Sequence, residues 1–409
     1  MSADRGSAAG PLSLPPSFPF GPLVATTAMQ TLATMAAYAV PALAPVVARD
    51  LGVDGALTGY FVSVVYGVGI LSSLLAASFI NRYGAVRAGQ WVLGTALAML
   101  LIAAWGGVAA LAVGAVVLGL GYGATAPSST HLLVPRTPPR ILYFVMSLRQ
   151  IGVPLGGVLA GLLLPPLAIL VGWQNAMLAL AVPIVLLLLA LEWPRREWDR
   201  HRAADVSSIA DGLHRLIALL RENTEVRRLT IASFIYSGVQ LCFVAFMAVH
   251  LTARAGFGIV AAGQTLALYQ VCGVVSRPIW GWLADRAVPA RVLLVVQGLV
   301  MAVAAIAAGQ FDVDWPGWLV LVICAIAGAS ASGYTGIAYA EYARLGGARR
   351  TEATGLGSAA MFSGVLVIPS LATVVITTTG SYALAYGAVG IAAATAAVLL
   401  AWRRSHGRR

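Results

Sequence analysis

Twelve long apolar runs constrain this 409-residue chain more than any other feature. They cover approximately 21–44, 57–80, 89–105, 108–133, 141–164, 168–191, 229–252, 262–283, 290–309, 317–340, 353–376 and 382–402. At a rise of about 1.5 Å per residue, each can cross a hydrocarbon layer about 30 Å thick. Lipid offers the backbone no hydrogen-bond partners, so each crossing must be helical. Composition agrees: 59% of residues are apolar and only 10% charged, against roughly 25% charged in soluble domains. Mean hydropathy is +0.86. A disordered chain, a disulfide scaffold and a nucleic-acid-binding domain are excluded. The expected fold is an all-α polytopic membrane protein with twelve transmembrane helices in two pseudo-symmetric six-helix halves.

Charge placement orients the helices. The net charge is +11, from 26 basic and 15 acidic residues, and every Lys/Arg position is Arg. Arg82 and Arg87 follow run two, Arg136 and Arg140 run four, Arg286 and Arg291 run eight. Arg344, Arg349 and Arg350 follow run ten, and eight more arginines lie in 192–228. The alternate loops hold only Arg49 and Arg254. This asymmetry predicts cytoplasmic termini and a cytoplasmic central loop. The expected divisions are a disordered tail 1–20, halves at 21–191 and 229–402, the central loop 192–228 and a short tail 403–409. All-Arg usage and short loops suit a bacterial inner membrane. Cys242, Cys272 and Cys324 sit in apolar runs without paired spacing and read as core residues, with no metal site. In the central loop, Leu213, Leu216, Ile217 and Leu220 recur at helical spacing. They predict either a short helix on the inner membrane face or a solvated linker.

The segment after run two reads Ala77-Ser-Phe-Ile-Asn81-Arg82-Tyr-Gly84-Ala-Val-Arg87, and that after run eight reads Gly281-Trp-Leu-Ala-Asp285-Arg286-Ala-Val-Pro-Ala-Arg291. Two similar turns about half a chain apart indicate a duplicated architecture. The pattern Gly-x-x-x-Asp-Arg with a later Arg resembles the signature loop of the major facilitator superfamily of secondary transporters. The second copy matches at Gly281, Asp285, Arg286 and Arg291, whereas the first has Ala77 for Gly and Asn81 for Asp. A Gly at the helix end permits close approach of a neighbouring helix. Asp285 can accept hydrogen bonds from a helix N-terminus and pair with an Arg, forming a latch that breaks as the halves rock. Asn81 carries no charge, so the first-half latch with Arg82, Gly84 and Arg87 should be weaker. The competing reading is ordinary loop topology. In run five, Arg149-Gln-Ile-Gly152-Val-Pro154-Leu-Gly156-Gly157 partly resembles a stretch of facilitator exporters and antiporters, and predicts tight packing and a kink at Pro154.

No Asp or Glu lies deep in a run, so the usual carboxylate proton relay is missing. Glu341 and Glu352 flank the loop between runs ten and eleven. One cation stands out. Arg277 lies one helical turn before Gly281, on a face shared with Gln270 and Gly273. A buried guanidinium needs a partner, and a transported carboxylate can pair with it in bidentate fashion. Arg277-Pro278-x-x-Gly281 resembles the eighth helix of monocarboxylate porters and oxalate:formate-type antiporters. In those families the Arg contacts the substrate carboxylate. The acidic residue that monocarboxylate porters carry a turn earlier is Gly273 here. Snorkelling to the cytoplasmic rim is the competing reading for Arg277, and Arg149, nearer its helix start, reads as structural.

Polar stripes on other runs suit a cavity between the halves: Gln30, Thr34 and Tyr38 on run one, Tyr122 on run four, Gln150 on run five, Tyr236 and Gln240 on run seven. His131 and His250 read as satisfied interfacial residues. The resemblance implies alternating access for a small organic anion, a monocarboxylate foremost, by proton symport or exchange. The expected partners are the anion, protons and the bilayer, with no nucleic acid and no cofactor, and a monomer suffices. The alternative is an exporter of neutral or hydrophobic compounds. No nucleophile set, metal cluster or phosphate loop supports an enzyme.

Overall fold

The computed structural model describes residues 18–53, 57–200 and 209–402. The expected tails, apart from residues 18–20, and residues 201–208 of the central loop lie outside them. Among the described residues the chain is helical, with no strand. Among the described residues eleven helical stretches are long and apolar enough to cross a membrane, and one of them divides to give twelve helices. We label them α1 (Phe20–Ala42), α2 (Leu57–Tyr83), α3 (Ala85–Ala104), α4 (Val108–Arg136), α5 (Pro139–Val171), α6 (Trp173–Trp198), α7 (Thr224–Ala253), α8 (Ile259–Arg286), α9 (Ala290–Gly309), α10 (317–346), α11 (Arg350–Thr379) and α12 (Tyr382–Ala401). The stretch Gly317–Thr379 is helical almost throughout, but its 63 residues far exceed one crossing. A tight turn at Gly347–Arg349 divides it into α10 and α11.

Several helices are broken where the sequence withholds a backbone donor or a side chain. α4 falters at Gly123, and α5 breaks at Gln150–Ile151, between Leu142–Arg149 and Gly152–Val171. α10 widens into a π-helical turn at Gly328–Ser332. Such turns leave backbone carbonyls free for other partners and recur at functional sites.

Helices α1–α6 and α7–α12 form two halves, each with its own apolar core. Met29, Val92, Leu100 and Trp173 sit in the first core, and Tyr236, Phe243, Met301 and Val389 in the second. Within the first half, α5 lies against α1 through Gly152 and Gly156, where a Cβ would collide with the backbone of Thr27 and Thr31. The halves meet mainly along one end. There α2 packs on α11, the Leu142–Arg149 segment of α5 packs on α8 and α10, and α4 packs on α11. The Gly152–Val171 segment of α5 turns away and packs on α1. The end that joins is the one carrying the Arg82 and Arg286 turns.

Two expectations change. The central segment is shorter than 192–228: α6 runs to Trp198, a separate helix spans Ile209–Glu222, and α7 begins at Thr224, capped by Asn223 Oδ1. That helix packs against α2, α7 and α11, burying Leu216 and Leu219 and leaving Ile217 48% exposed. Its buried face centres on Leu216 and Leu219 and is therefore rotated from the expected stripe, because it packs against these three helices. Glu341 and Glu352 lie in α10 and in the first turn of α11, and both are buried.

Candidate functional site

A cavity of about 340 Å3 lies between the halves. That volume suits a small metabolite, at the lower end of a typical range of roughly 300–1,000 Å3. Gln30 and Tyr38 line it from α1, Tyr122 from α4, Gln150 from α5, Gln240 from α7, and Gln270 and Arg277 from α8. Seven of the nine residues expected to bind substrate thus reach one space. The two others stand back from the wall. Thr34 accepts a hydrogen bond from Gln30 Nε2 (2.9 Å) and lies 3.3 Å from the Tyr122 hydroxyl, so it supports two wall residues from behind. Tyr236 is buried within the second half. Its hydroxyl donates to the Leu294 carbonyl (3.2 Å) and its ring occupies the space beside Gly298. Helical spacing placed Tyr236 on a polar stripe with Gln240, but the rotation of α7 turns its ring inward.

Arg277 is 2% exposed and does not snorkel. Its Nε donates to the Ser332 carbonyl (3.0 Å), one terminal nitrogen to the Gln150 carbonyl (3.1 Å) and the other to Ser332 Oγ (3.2 Å). Each acceptor has a local cause. Ser332 ends the π-helical turn of α10. That turn is held by Trp280 Nε1 and Ser276 Oγ from α8, both donating to the Ala329 carbonyl (2.8 and 2.9 Å). The Gln150 carbonyl lacks its usual helical donor because Pro154, four residues on, has no N–H to give it, and it takes only a long bond from Val153 N (3.3 Å), which leaves a lone pair for Arg277. The bond from Arg277 to Gln150 joins the two halves.

Arg149 was expected to be structural, and its place on the cavity wall was not foreseen. It is 1% exposed and lines the same cavity. One terminal nitrogen donates to Gln150 Oε1 and the other to the Thr125 carbonyl (2.9 Å), while Nε has no partner. The break in α5 turns this residue inward. Its proximity to the helix start concealed that, although Pro154 downstream marked the break. Also missed were Tyr66, Tyr334, Tyr339 and Phe362 on the wall. Tyr66, Tyr122 and Phe362 cluster with ring centres 5.2–6.0 Å apart, closing aromatic contact between α2, α4 and α11. Isolated aromatics in apolar runs read as ordinary core, so no signal marked them. Among the described residues no Asp or Glu lines the cavity.

At the joined end, Asp285 accepts hydrogen bonds from Tyr143 N (3.0 Å) and Phe144 N (2.8 Å), capping the start of α5 across the halves. Gly281 makes this approach feasible: a Cβ there would lie 2.6 Å from the Tyr143 carbonyl. Among the described residues no Arg comes within ion-pair distance of Asp285, contrary to the expected pairing. Tyr143 OH donates to Glu341 (2.6 Å), which also pairs with Arg344 (2.6 Å), and His131 Nδ1 lies 2.9 Å from Thr351 Oγ1. These too join α5 to α10 and α4 to α11.

The remaining signature residues hold each half together instead of bridging them. Arg291 donates to the Leu400 and Trp402 carbonyls (2.6 and 2.9 Å) and pairs with Glu225 (2.9 Å). Arg87 bonds Gln90 (3.0 Å) and approaches Glu192 (3.8 Å). Asn81 makes no hydrogen bond among the described residues, and Arg82 and Arg286 are exposed. Arg82 lies over the Tyr83 ring, 5.2 Å from its centre. The carboxylate missing from position 81 is not replaced across the interface. Asp199, at the end of α6, instead accepts from Val86 N (2.9 Å) and Arg87 N (3.3 Å), capping α3 within the first half. It fits against Gly84, whose φ of +96° and missing side chain admit the carboxylate.

Solved structures share this arrangement at low identity. The E. coli fucose:proton symporter FucP matches with a TM-score of 0.71 at 16% identity, over 93% of this chain and 98% of that one. FucP in its outward conformation gives 0.69 at 16% identity, over 93% and 98%. The human organic anion transporter MFSD10 (TETRAN) gives 0.70 at 16% identity, over 94% of this chain and all of that one (100%). No curated protein matches the sequence significantly. The family model of the Major Facilitator Superfamily matches residues 26–345, more than three-quarters of the chain. With twelve crossing helices in two halves around one polar cavity, this chain belongs to the Major Facilitator Superfamily of membrane transporters, not to a family of enzymes.

Proposed function

We propose that this protein is a secondary transporter moving small organic anions by alternating access. One observation carries the reading. Two fully buried guanidiniums, Arg149 and Arg277, face one cavity on whose wall no described residue is acidic. Uncompensated buried cations are costly, and an anionic passenger lowers that cost through charge-assisted hydrogen bonds. A neutral cargo, as in the exporter alternative, would leave both charges unmatched. Gln30, Tyr38, Tyr122, Gln150, Gln240 and Gln270 supply orienting hydrogen bonds around them.

The positive-inside bias supports a cytoplasmic side for both termini and the joined end, and the all-Arg composition suits a bacterial inner membrane. In that orientation the cavity faces outward. Asp285, Glu341 and His131 then belong to a cytoplasmic gate that opens as the halves rock. One chain encloses the whole cavity, so a monomer is the working unit. Exchange or proton symport drives it, and without a carboxylate on the cavity wall exchange is the simpler scheme.

Uptake of radiolabelled organic acids into proteoliposomes tests the assignment. Arg277→Gln should lower anion uptake by about tenfold or more, while Arg277→Lys retains part of it. Unchanged uptake and an unchanged competition profile in Arg277→Gln would overturn the site.

A further inference from the structure

We propose that the cavity is built for a short dicarboxylate, with Arg149 in the first half and Arg277 in the second each holding one carboxylate. This rests on the anion reading above and narrows it. Arg277 alone accounts for one negative charge. Arg149 is the second, comparably buried cation on the same wall, and no described residue of that wall is acidic.

The donors are incompletely used. Two guanidiniums carry ten N–H groups, yet Arg149 and Arg277 make five hydrogen bonds between them. Every acceptor is neutral: the carbonyls of Thr125, Gln150 and Ser332, the Gln150 side-chain oxygen and the Ser332 hydroxyl. Arg149 Nε is buried without any partner. Two like charges in a low-dielectric space repel, and one monoanion can neutralise only one of them.

Gln150 sets the spacing. Arg149 grips its side-chain oxygen and Arg277 its backbone oxygen, so the two cations address opposite ends of one residue. Two carboxylates joined by a short alkyl chain offer one anionic end to each cation. A phosphate dianion concentrates its charge on one centre and offers no second, separate anionic end. A bridging dicarboxylate would also tie the two halves to each other through the ligand.

Binding to the purified full-length protein, followed by calorimetry with succinate, butyrate and inorganic phosphate, tests this. Succinate and butyrate share a carbon count and differ by one carboxylate. Succinate should bind the wild type about tenfold or more tighter than butyrate. Arg149→Gln should remove that preference by lowering succinate affinity far more than butyrate affinity, and Arg149→Lys should restore part of it. The wild-type comparison needs no variant, so a misfolded Arg149→Gln leaves the test intact. Equal affinity for succinate and butyrate overturns the dicarboxylate assignment and leaves the anion reading standing. Phosphate binding tighter than succinate overturns the two-ended geometry. If none of the three binds, the dicarboxylate assignment and the anion reading fall together.

Discussion

Pro154 shows how one residue can shape a binding site without touching the ligand. A proline donates no hydrogen bond, and its ring clashes with the carbonyl four residues earlier. In α5 that carbonyl belongs to Gln150, and Arg277 from the opposite half takes it. Pro154→Ala restores a competing donor. A carbonyl has two lone pairs, so the expected loss in anion affinity is modest, about two- to tenfold, with thermal stability maintained or raised. Calorimetric titration beside a melting curve measures both. The same scale shows how much of the site could be read from residue types. Arg277, Gln270, Gln240, Gln150, Gln30, Tyr38 and Tyr122 all reach the cavity. They are polar groups on apolar helices, and burial cost alone drives such groups toward one another. Arg149 reaches the wall although only a structural role was expected of it, and Tyr236 stands back from the wall although it was expected there. Neither sequence neighbourhood records how far a broken or rotated helix turns.

At the scale of elements, the broken helices matter more than the continuous ones. α5 and α10 each lose regular hydrogen bonding where they approach Arg277, and the freed or displaced carbonyls become its ligands. Gly328, Gly333 and Gly336 lie along α10, but glycine spacing alone does not specify a π-helical turn. The Ile209–Glu222 helix carries a different lesson. Its amphipathic pattern was legible, yet its buried face is set by α2, α7 and α11. Leu219, which lay off the expected stripe, is buried in the second-half core. Leu219→Ala should destabilise the protein by about 2–3 kcal/mol, lowering the thermal midpoint in detergent. Ile217→Ala, at the exposed position, should leave the midpoint within about a degree. Equal effects at the two positions would show that the helix lies with another face inward.

For the whole molecule, the two halves touch at one end and part at the other, the geometry that alternating access requires. Bonds across the joined end come from Asp285, Tyr143, Glu341 and the His131–Thr351 pair. Cysteines at positions 131 and 351, joined by a short bifunctional reagent, should hold the closed end shut. Cys242, Cys272 and Cys324 are first replaced. Cross-linked protein should lose transport while still binding anion from the opposite face, and cleaving the linker should restore uptake. Transport that survives complete cross-linking would mean that this end does not open during the cycle.

By itself the sequence determined the twelve crossings and the two-half repeat, and it gave an expected side of the membrane for the arginine-rich turns. These depend on properties that act segment by segment: transfer of apolar side chains into lipid, obligatory backbone bonding there, and the cost of moving charge across. Tertiary structure alone decided which polar groups share the cavity. That choice depends on the rotation of each helix about its axis and on where its hydrogen-bond ladder breaks. Both are settled by packing between helices far apart in the chain, so Arg149 joined Arg277 while Tyr236 turned into the core.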